Sequence, residues 1–305
     1  VPLVLGAEGI DKIILKQLEL STKESNMTQW QELVNKIKNP TDSVDIGIVG
    51  KYVEFEESYK SLNEALIHAG LFYNLKTNVH WIEAEGVEGG NWVNQLSKFD
   101  GILVPGGFGK RGIEGMIRAV TFARSQKVPF FGICLGMQCS VIEFARNVAG
   151  LKNANSSEFD PSTPHRVIYK LRELREVDDL GGTMRLGAYP CILNPKSHTF
   201  NAYGYLELSE RHRHRYEFNR EYEEIFIAQG MKIAGSSPDN NFVEVVEIED
   251  HPWFVGCQFH PEFKSKPLKP HPLFRGFVNA SYVNRNLQLK NGQSKIDQLT
   301  ERRVT

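Results

Sequence analysis

A cysteine lies between two glycines in the stretch FFGICLGMQ, residues 130–138. The short apolar run at 128–133 predicts a buried strand, and the apolar spacing at 135–149 predicts a helix. Cys134 therefore stands where a strand gives way to a helix. Its G-x-C-x-G pattern has the spacing of a nucleophile elbow, with cysteine in place of serine. Many buried cysteines only fill core space, so Cys134 needs chemical partners to form a site.

The stretch CQFHPEF, residues 257–263, offers two such partners. A thiol nucleophile needs a base, and the base needs a group that fixes its orientation. His260 follows an apolar strand, and Glu262 is close enough along the chain to hold the far imidazole nitrogen and stabilise the imidazolium. A surface turn is the alternative, because His-Pro pairs also occur at 251 and 271.

The stretch VPGGFG, residues 104–109, offers donors for an oxyanion. Gly106 and Gly107 let the backbone turn its N–H groups inward without a side chain in the way. The backbone N–H of Leu135, at the predicted helix start, is the second donor, and the helix dipole there favours a thiolate. A tight turn or a phosphate loop is the alternative, although neither G-x-G-x-x-G nor a Walker lysine is present.

Alternating strands and helices must position these residues. Between residues 45 and 150 the alternation predicts a parallel, doubly wound sheet, in which sites lie at the carboxyl ends of strands. After residue 165 the pattern predicts antiparallel strands with one helix between them and a closing helix at 271–286. The fold class is therefore α/β, a mostly parallel doubly wound sheet flanked by helices with additional antiparallel strands. Alternation in ERHRHR places His212 and His214 on one strand face.

Composition bounds the classes of function. The 305 residues carry a formal net charge of −1 and 41% hydrophobic residues, which gives no reason to expect nucleic acid or a membrane as partner. No apolar run approaches the ~18 residues of a membrane span, and no secretory signal opens the chain. The four cysteines form no C-x-x-C pair, so no metal site is predicted and a cytoplasmic location is expected. We predict a linker or arm at 1–43, a catalytic domain at 44–286 and a polar tail at 287–305.

Three of these motifs, VPGGFG, GICLGMQ and QFHPEF in this order, resemble the class I (triad) glutamine amidotransferases. Further stretches resemble the glutaminase domains of CTP synthases: DGILVPGGFGKRGIEG, VIEFARNVAGLKNANSSEF, GGTMRLG, ERHRHRYEFN and HPWFVGCQFHPEFKSKP. The resemblance covers roughly residues 45–285. It implies that Cys134 attacks the side-chain amide of L-glutamine, that His260 transfers the proton to departing ammonia, and that Glu262 orients His260. A glutamyl thioester would form and water would release glutamate.

The resemblance also implies binding residues. The positions that match the family's glutamine site are Gly107, Leu135, Gly136, Met137, Gln138, Glu158 and Arg215. Gly107 and Leu135 would hold the oxyanion. The stretch FGKRGIEG matches a mobile lid through which GTP activates the family's glutaminase, and Arg111, Gly112 and Glu114 are its candidates. Without the resemblance, Glu158 and the stretch RHRHR would be interpreted as solvated surface, and that interpretation still fits His212 and His214.

The opening stretch VPLVLGAEGID resembles the segment that follows the family's synthetase (amidoligase) domain, so this chain is expected to be a piece of a larger protein. ATP, UTP and Mg²⁺ would belong to that absent half, no cofactor is expected in this chain, and GTP is the expected allosteric activator. Full-length members are homotetramers, and a monomer is the alternative for the isolated domain. Two other functions stay open, a γ-glutamyl hydrolase or peptidase and a non-catalytic regulatory or assembly module.

Overall fold

The structure of the chain, a computed structural model, describes residues 1–21, 26–51, 53, 56–89, 91–170 and 184–304, with side chains to residue 290. Its strands are β1 (Asp42–Gly50), β2 (Leu75–Glu83), β3 (Gly101–Val104), β4 (Phe130–Ile133), β5 (Asn155–Ser156), β6 (Arg166–Lys170), β7 (Arg185–Leu193), β8 (Glu207–His214), β9 (Tyr216–Phe218), β10 (Met231–Ser236), β11 (Val243–Ile248) and β12 (Phe254–Cys257). Its helices are α1 (Pro2–Ala7), α2 (Ile10–Gln17), α3 (Thr28–Lys38), α4 (Lys60–Phe72), α5 (Trp92–Leu96), α6 (Ile113–Ser125), α7 (Leu135–Asn147), α8 (His198–Tyr203), α9 (Glu223–Ala228) and α10 (Pro272–Val304).

Nine strands form one sheet in the order β2-β1-β3-β4-β12-β11-β10-β7-β8. The five strands from β2 to β12 pair in parallel, and every pair from β12 to β8 is antiparallel. β5, β6 and β9 form a separate three-stranded sheet. The predicted fold class is therefore confirmed, and β12 joins the parallel and antiparallel parts.

Helices cover both faces of the large sheet. Ile46 and Ile48 of β1 lie in the core shared with α4 and α10, whereas Val49 lies in the core shared with α6 and α7. This division follows from the alternation of side chains along a strand, and a strand buried on both faces is apolar throughout. The parallel part is thus fixed on both sides, which makes its carboxyl edge a rigid support for a site.

The antiparallel part differs from the prediction in one helix. Sequence patterns predict a single helix in this region, but the structure also contains α8. Ser197 caps its first turn by accepting a hydrogen bond from the N–H of Phe200 at 2.9 Å, and Gly204 ends it with φ +80°. A serine before a helix and a glycine after it are ordinary helix boundaries, so this signal is present in the sequence.

The chain ends also form helices. α1, α2 and α3 occupy the predicted N-terminal arm, and α10 runs across the predicted boundary at 286–287 as far as Val304. Within the described ranges, no helix combines the length and apolar character needed to cross a membrane.

Candidate active site

The elbow at Cys134 has the strained backbone that its sequence pattern predicts. Cys134 has φ +51° and ψ −101°, and it lies between the end of β4 and the first residue of α7. A non-glycine residue at positive φ is uncommon and is often found at functional sites. The backbone N–H of Cys134 donates to the carbonyl of Cys257 at 2.7 Å, which ties the elbow to β12.

The two glycines beside Cys134 allow a close crossing of helix and sheet. A Cβ added to Gly136 would lie 2.0 Å from the carbonyl oxygen of Val104, and one added to Gly132 would lie 2.7 Å from the carbonyl carbon of Gly136. Any side chain at either position would therefore push α7 away from β3 and β4. The position of Cys134 is set by contact between backbones.

Strand register brings His260 to the same edge. Cys257 of β12 pairs with Ile133 of β4, so the chain leaves both strands at the same level. The N–H of His260 donates to the carbonyl of Arg211 at 2.7 Å. A 3₁₀ turn, Pro261–Lys264, then brings the Glu262 Oε1 to 2.8 Å from the Nδ1 of His260.

The environment of His260 favours the protonated imidazole. Burial opposes the charge, but the nearby Cys134 sulfur and the Glu262 carboxylate outweigh it and raise the pKa of His260 to about 10. Opposite charges within a few ångströms stabilise the charged form in this way. Cys134, His260 and Glu262 thus form one row, in which Glu262 holds the His260 Nδ1 and both Cys134 and Glu262 favour the charged imidazole.

The glycine loop after β3 lies against this row. A Cβ on Gly106 would lie 2.8 Å from the His260 Cε1 and 3.6 Å from the Cys134 Cβ, and one on Gly107 would lie 3.0 Å from the Leu135 Cδ2. The N–H of Leu135 is among the first four of α7, which have no acceptor inside the helix. Gly107 and Leu135 are therefore neighbours beside the thiol, as an oxyanion site requires.

A cavity of about 190 Å³ opens beside the thiol. It is smaller than the ~300–1,000 Å³ of sites for drug-sized molecules, and it suits a ligand of amino-acid size. Its lining residues are Glu57, Ser58, Tyr59, Ser61, Leu62, Pro105, Gly106, Gly107, Phe108, Ile133, Cys134, Arg213, His260, Glu262 and Phe263. Sequence analysis did not predict that residues within 57–62 line this cavity. They belong to the 3₁₀ turn Glu56–Tyr59 and to the first turn of α4.

The predicted glutamine positions divide into two groups. All are described, and Gly107 alone lines the cavity; Leu135, Gly136, Met137, Gln138, Glu158 and Arg215 lie outside it. The Glu158 Oε1 accepts a hydrogen bond from the N–H of Gly109 at 2.8 Å. Burial raises the pKa of Glu158, and that hydrogen bond, Lys51 and the exposed Arg215 lower it. Glu158 therefore contacts the glycine loop next to the cavity without lining the cavity itself.

Two buried glutamines lie behind the thiol. The Gln258 Nε2 lies 3.7 Å from the Cys134 Sγ, and the Gln138 Nε2 donates to the Gln258 Oε1 at 3.3 Å and to the carbonyl of Tyr216 at 3.2 Å. Gln258 was not predicted, because a single polar residue at the end of an apolar strand carries no distinctive spacing.

The three lid candidates make contacts within the protein. Arg111 Nη1 lies 3.1 Å from the Glu85 Oε2, and both Glu114 oxygens accept from the Arg146 Nη1 at 3.0 Å. Gly112 has φ +68°, and a Cβ there would lie 2.9 Å from the Ala84 Cβ. Their contacts attach the start of α6 to the 3₁₀ turn Ala84–Glu88 and to α7.

A second ionisable cluster lies behind His260, and we call it the Arg185 cluster. Its members are Arg185, His212, His214, Glu217 and Glu244, all of them buried. The guanidinium lies 3.3 Å from the Glu217 Oε1 and 2.7 Å from the Glu244 Oε1, and the two imidazoles are hydrogen-bonded at 2.9 Å. The prediction that His212 and His214 share one face of β8 is confirmed, but the interpretation of that face as solvated is wrong, because both histidines are buried while the arginines beside them are exposed.

Comparison with known families gives one extended match. The profile of the family "Glutamine amidotransferase class-I" matches residues 54–280. That span includes every residue predicted for the site.

Curated relatives match nearly the whole chain. A CTP synthase of Acidobacterium capsulatum is 63% identical over 284 residues, which cover 93% of this chain and 52% of that protein. A CTP synthase of Koribacter versatilis is 62% identical over 289 residues, with the same two shares. The chain thus spans about half the length of these relatives.

A solved structure is similar over most of the chain. It is the glutaminase domain of Trypanosoma brucei CTPS with bound acivicin, at a TM-score of 0.74 and 35% identity, and it covers 78% of this chain and 94% of that one.

Proposed function

The chain belongs to the class I glutamine amidotransferases, among the glutaminase domains of CTP synthases, and on this premise we propose that it hydrolyses L-glutamine with Cys134 as the nucleophile. The observation that carries the proposal is the row of Cys134, His260 and Glu262 at a strained elbow beside the glycine loop. This arrangement combines a nucleophile, a base, an orienting carboxylate and oxyanion donors.

The proposed reaction runs in two steps. The Cys134 thiolate attacks the side-chain amide carbon of glutamine, and the negative oxygen that develops is held by the N–H groups of Gly107 and Leu135. The His260 imidazolium gives its proton to the amide nitrogen, the C–N bond breaks, ammonia leaves and a glutamyl thioester remains. His260 then takes a proton from water, the water oxygen attacks the thioester, and glutamate departs as Cys134 recovers its thiolate. Glu262 holds the imidazole by its Nδ1 through both steps.

We propose that Glu158 and Arg215 bind the two charged ends of the substrate. Glu158 suits the α-ammonium and Arg215 suits the α-carboxylate, because paired opposite charges make the stronger hydrogen bonds. Glu158 uses Oε1 for the N–H of Gly109, so its Oε2 is the oxygen left for the ammonium. Gly136, Met137 and Gln138 lie in the first turn of α7 and would form part of the glutamine site next to Cys134.

We propose that the released ammonia is used by a synthetase domain, which would correspond to the half of the relatives that this chain does not match. In this proposal a synthetase domain uses ATP and Mg²⁺ to aminate UTP to CTP, and this chain supplies the ammonia. GTP is proposed to activate hydrolysis through the segment with Arg111, Gly112 and Glu114, which would have to exchange contacts to bind it, because Arg111 and Glu114 already pair with other side chains. The full-length assembly is proposed to be a homotetramer.

Glutamate release from L-glutamine, with and without GTP, tests the proposal. We expect release by the unaltered chain and none by Cys134→Ala. Release from γ-glutamyl peptides at a higher kcat/KM than from glutamine would instead favour a γ-glutamyl hydrolase. If glutamate is not released and Cys134 is not labelled by an electrophilic glutamine analogue, the chain is a non-catalytic module and the proposal is wrong.

A further inference from the structure

Lys51 carries one of the largest fully buried side chains in the described part of the protein. It follows β1, whose Ile48 pairs with Leu103 of β3, so Lys51 lies beside the start of the glycine loop. The residue is 1% exposed, and burial lowers the pKa of its ammonium. Because burial of an ammonium is unfavourable, the groups it contacts must compensate for the lost water.

Those groups are backbone carbonyls of the glycine loop. The Lys51 Nζ donates to the carbonyl of Phe108 at 3.0 Å and also to the carbonyl of Gly109. The lysine stem passes the loop as well, since a Cβ on Gly107 would lie 3.8 Å from the Lys51 Cδ. Lys51 makes no contact with the cavity beside Cys134.

Glu158 holds the same peptide unit from its other end. The carbonyl of Phe108 and the N–H of Gly109 belong to one peptide group; Lys51 binds the carbonyl and Glu158 accepts from the N–H. Both glycines before this peptide lack the side chains that would restrict their rotation. A peptide held at both ends cannot flip, and it limits the rotation of the peptides just before it.

We infer that Lys51 is a positioning residue of the oxyanion loop: by holding the Phe108–Gly109 peptide at its carbonyl, it keeps the N–H of Gly107 beside Cys134 before substrate arrives. The inference rests on the proposed function, since it assigns Lys51 a role in stabilising the oxyanion. Donors that are already in place when charge develops account for a large part of such catalysis.

The test uses Lys51→Met, which keeps the length and burial of the stem and removes the charge. Lys98→Met is the matched control, because Lys98 is an exposed lysine in the turn before β3. We expect Lys51→Met to lower kcat for glutamine by about 10- to 100-fold, less than the ~10²–10³ that follows removal of one oxyanion donor. KM should change little, and Lys98→Met should match the unaltered chain.

Two further measurements separate positioning from general damage. Alkylation of Cys134 by iodoacetamide forms no oxyanion, so its rate should be unchanged in Lys51→Met. Binding of an aldehyde analogue of glutamine, whose carbonyl carbon bonds to the Cys134 sulfur to give a tetrahedral hemithioacetal, should weaken by the same factor as kcat/KM. If Lys51→Met does not fold, Lys51→Gln provides the same comparison.

Equal losses in alkylation and hydrolysis would overturn the inference, and so would a kcat within about twofold of the unaltered chain. In the second case the unaltered chain still hydrolyses glutamine, so only the role of Lys51 fails. If the unaltered chain neither hydrolyses glutamine nor reacts with an electrophilic glutamine analogue, the proposed function fails and the inference fails with it.

Discussion

The proposed catalytic row and the Arg185 cluster contain the same kinds of side chain, but they favour opposite protonation states of histidine. Each combines histidine with glutamate, and they lie back to back, since the N–H of His260 donates to the carbonyl of Arg211 on β8. Beside a thiol and a carboxylate, the pKa of His260 rises to about 10. Beside a guanidinium, burial and the positive charge of Arg185 lower the pKa of His212 to about 2.

The sign of the neighbouring charge decides the protonation state of these buried histidines. Burial disfavours the imidazolium at both places, so burial alone cannot separate them. In the Arg185 cluster the carboxylates are already paired with Arg185, and the histidines stay neutral. His260 has the Glu262 carboxylate on one side and the Cys134 thiol on the other, as the proposed proton transfer at the cavity requires.

The largest expected contrast lies between two buried cysteines. Cys134→Ala should reduce glutamate release by at least about 10⁴-fold, because the nucleophile is lost. Cys191→Ala, which removes a buried thiol beside the Arg185 cluster, should leave kcat close to that of the unaltered chain. Glutamate release should be measured on both variants, and an equal loss of activity in the two would show that the effect is not specific to Cys134.

Arg185→Met should destabilise the fold by about 3–5 kcal/mol, because it leaves two buried carboxylates without their cation. Burial raises the pKa of Glu217 to about 8, so its folded form binds the proton more tightly than its unfolded form. Such a group stabilises the fold below its ordinary pKa, and the contribution is lost as pH rises through about 8. Urea unfolding should therefore show a larger loss at about pH 9 than at about pH 6. A loss of stability that is the same at both pH values would show that these carboxylates do not titrate between about pH 6 and about pH 9.

Gly136→Ala should destabilise the fold by about 1–3 kcal/mol and lower activity, because the new methyl group meets the carbonyl of Val104. Gly86→Ala is the matched control, since a Cβ there has no neighbour within 4 Å. Unfolding curves and glutamate release on both variants would check this. Equal stability of the two variants would mean that a larger distance between α7 and the sheet is tolerated at the elbow.

The smallest expected effect is a change in titration. His260 binds its proton more tightly folded than unfolded, so it stabilises the fold below about pH 6.5, and this contribution is lost as pH rises through about 10. In Cys134→Ala the pKa of His260 should fall, since a principal cause of its rise is gone. NMR titration should show His212 and His214 neutral in both proteins above about pH 4, and movement of their pKa values with the Cys134 change would mean the two regions are coupled.

Sequence reasoning identified the parts of the site that lie close together along the chain. The glycines around Cys134 and the two-residue spacing of His260 and Glu262 are local patterns with a direct geometric meaning. It missed Lys51 and Gln258, because a lysine or a glutamine at the end of a strand looks the same whether its side chain turns to solvent or inward. It also missed Arg185, whose carboxylate partners lie 32 and 59 residues away in sequence. Only the register of the sheet brings such residues together.

The close crossing at Gly132 and Gly136 has a consequence for how this protein can diverge. Backbone atoms, rather than apolar side chains, define the distance between α7 and the sheet. Gradual exchange of the surrounding Leu, Ile, Val and Phe residues can therefore proceed with little displacement of the Cys134 sulfur. Tolerance to mutation should be broad across the core and narrow at these two glycines. The core sequence can therefore change extensively while the position of the Cys134 sulfur stays the same.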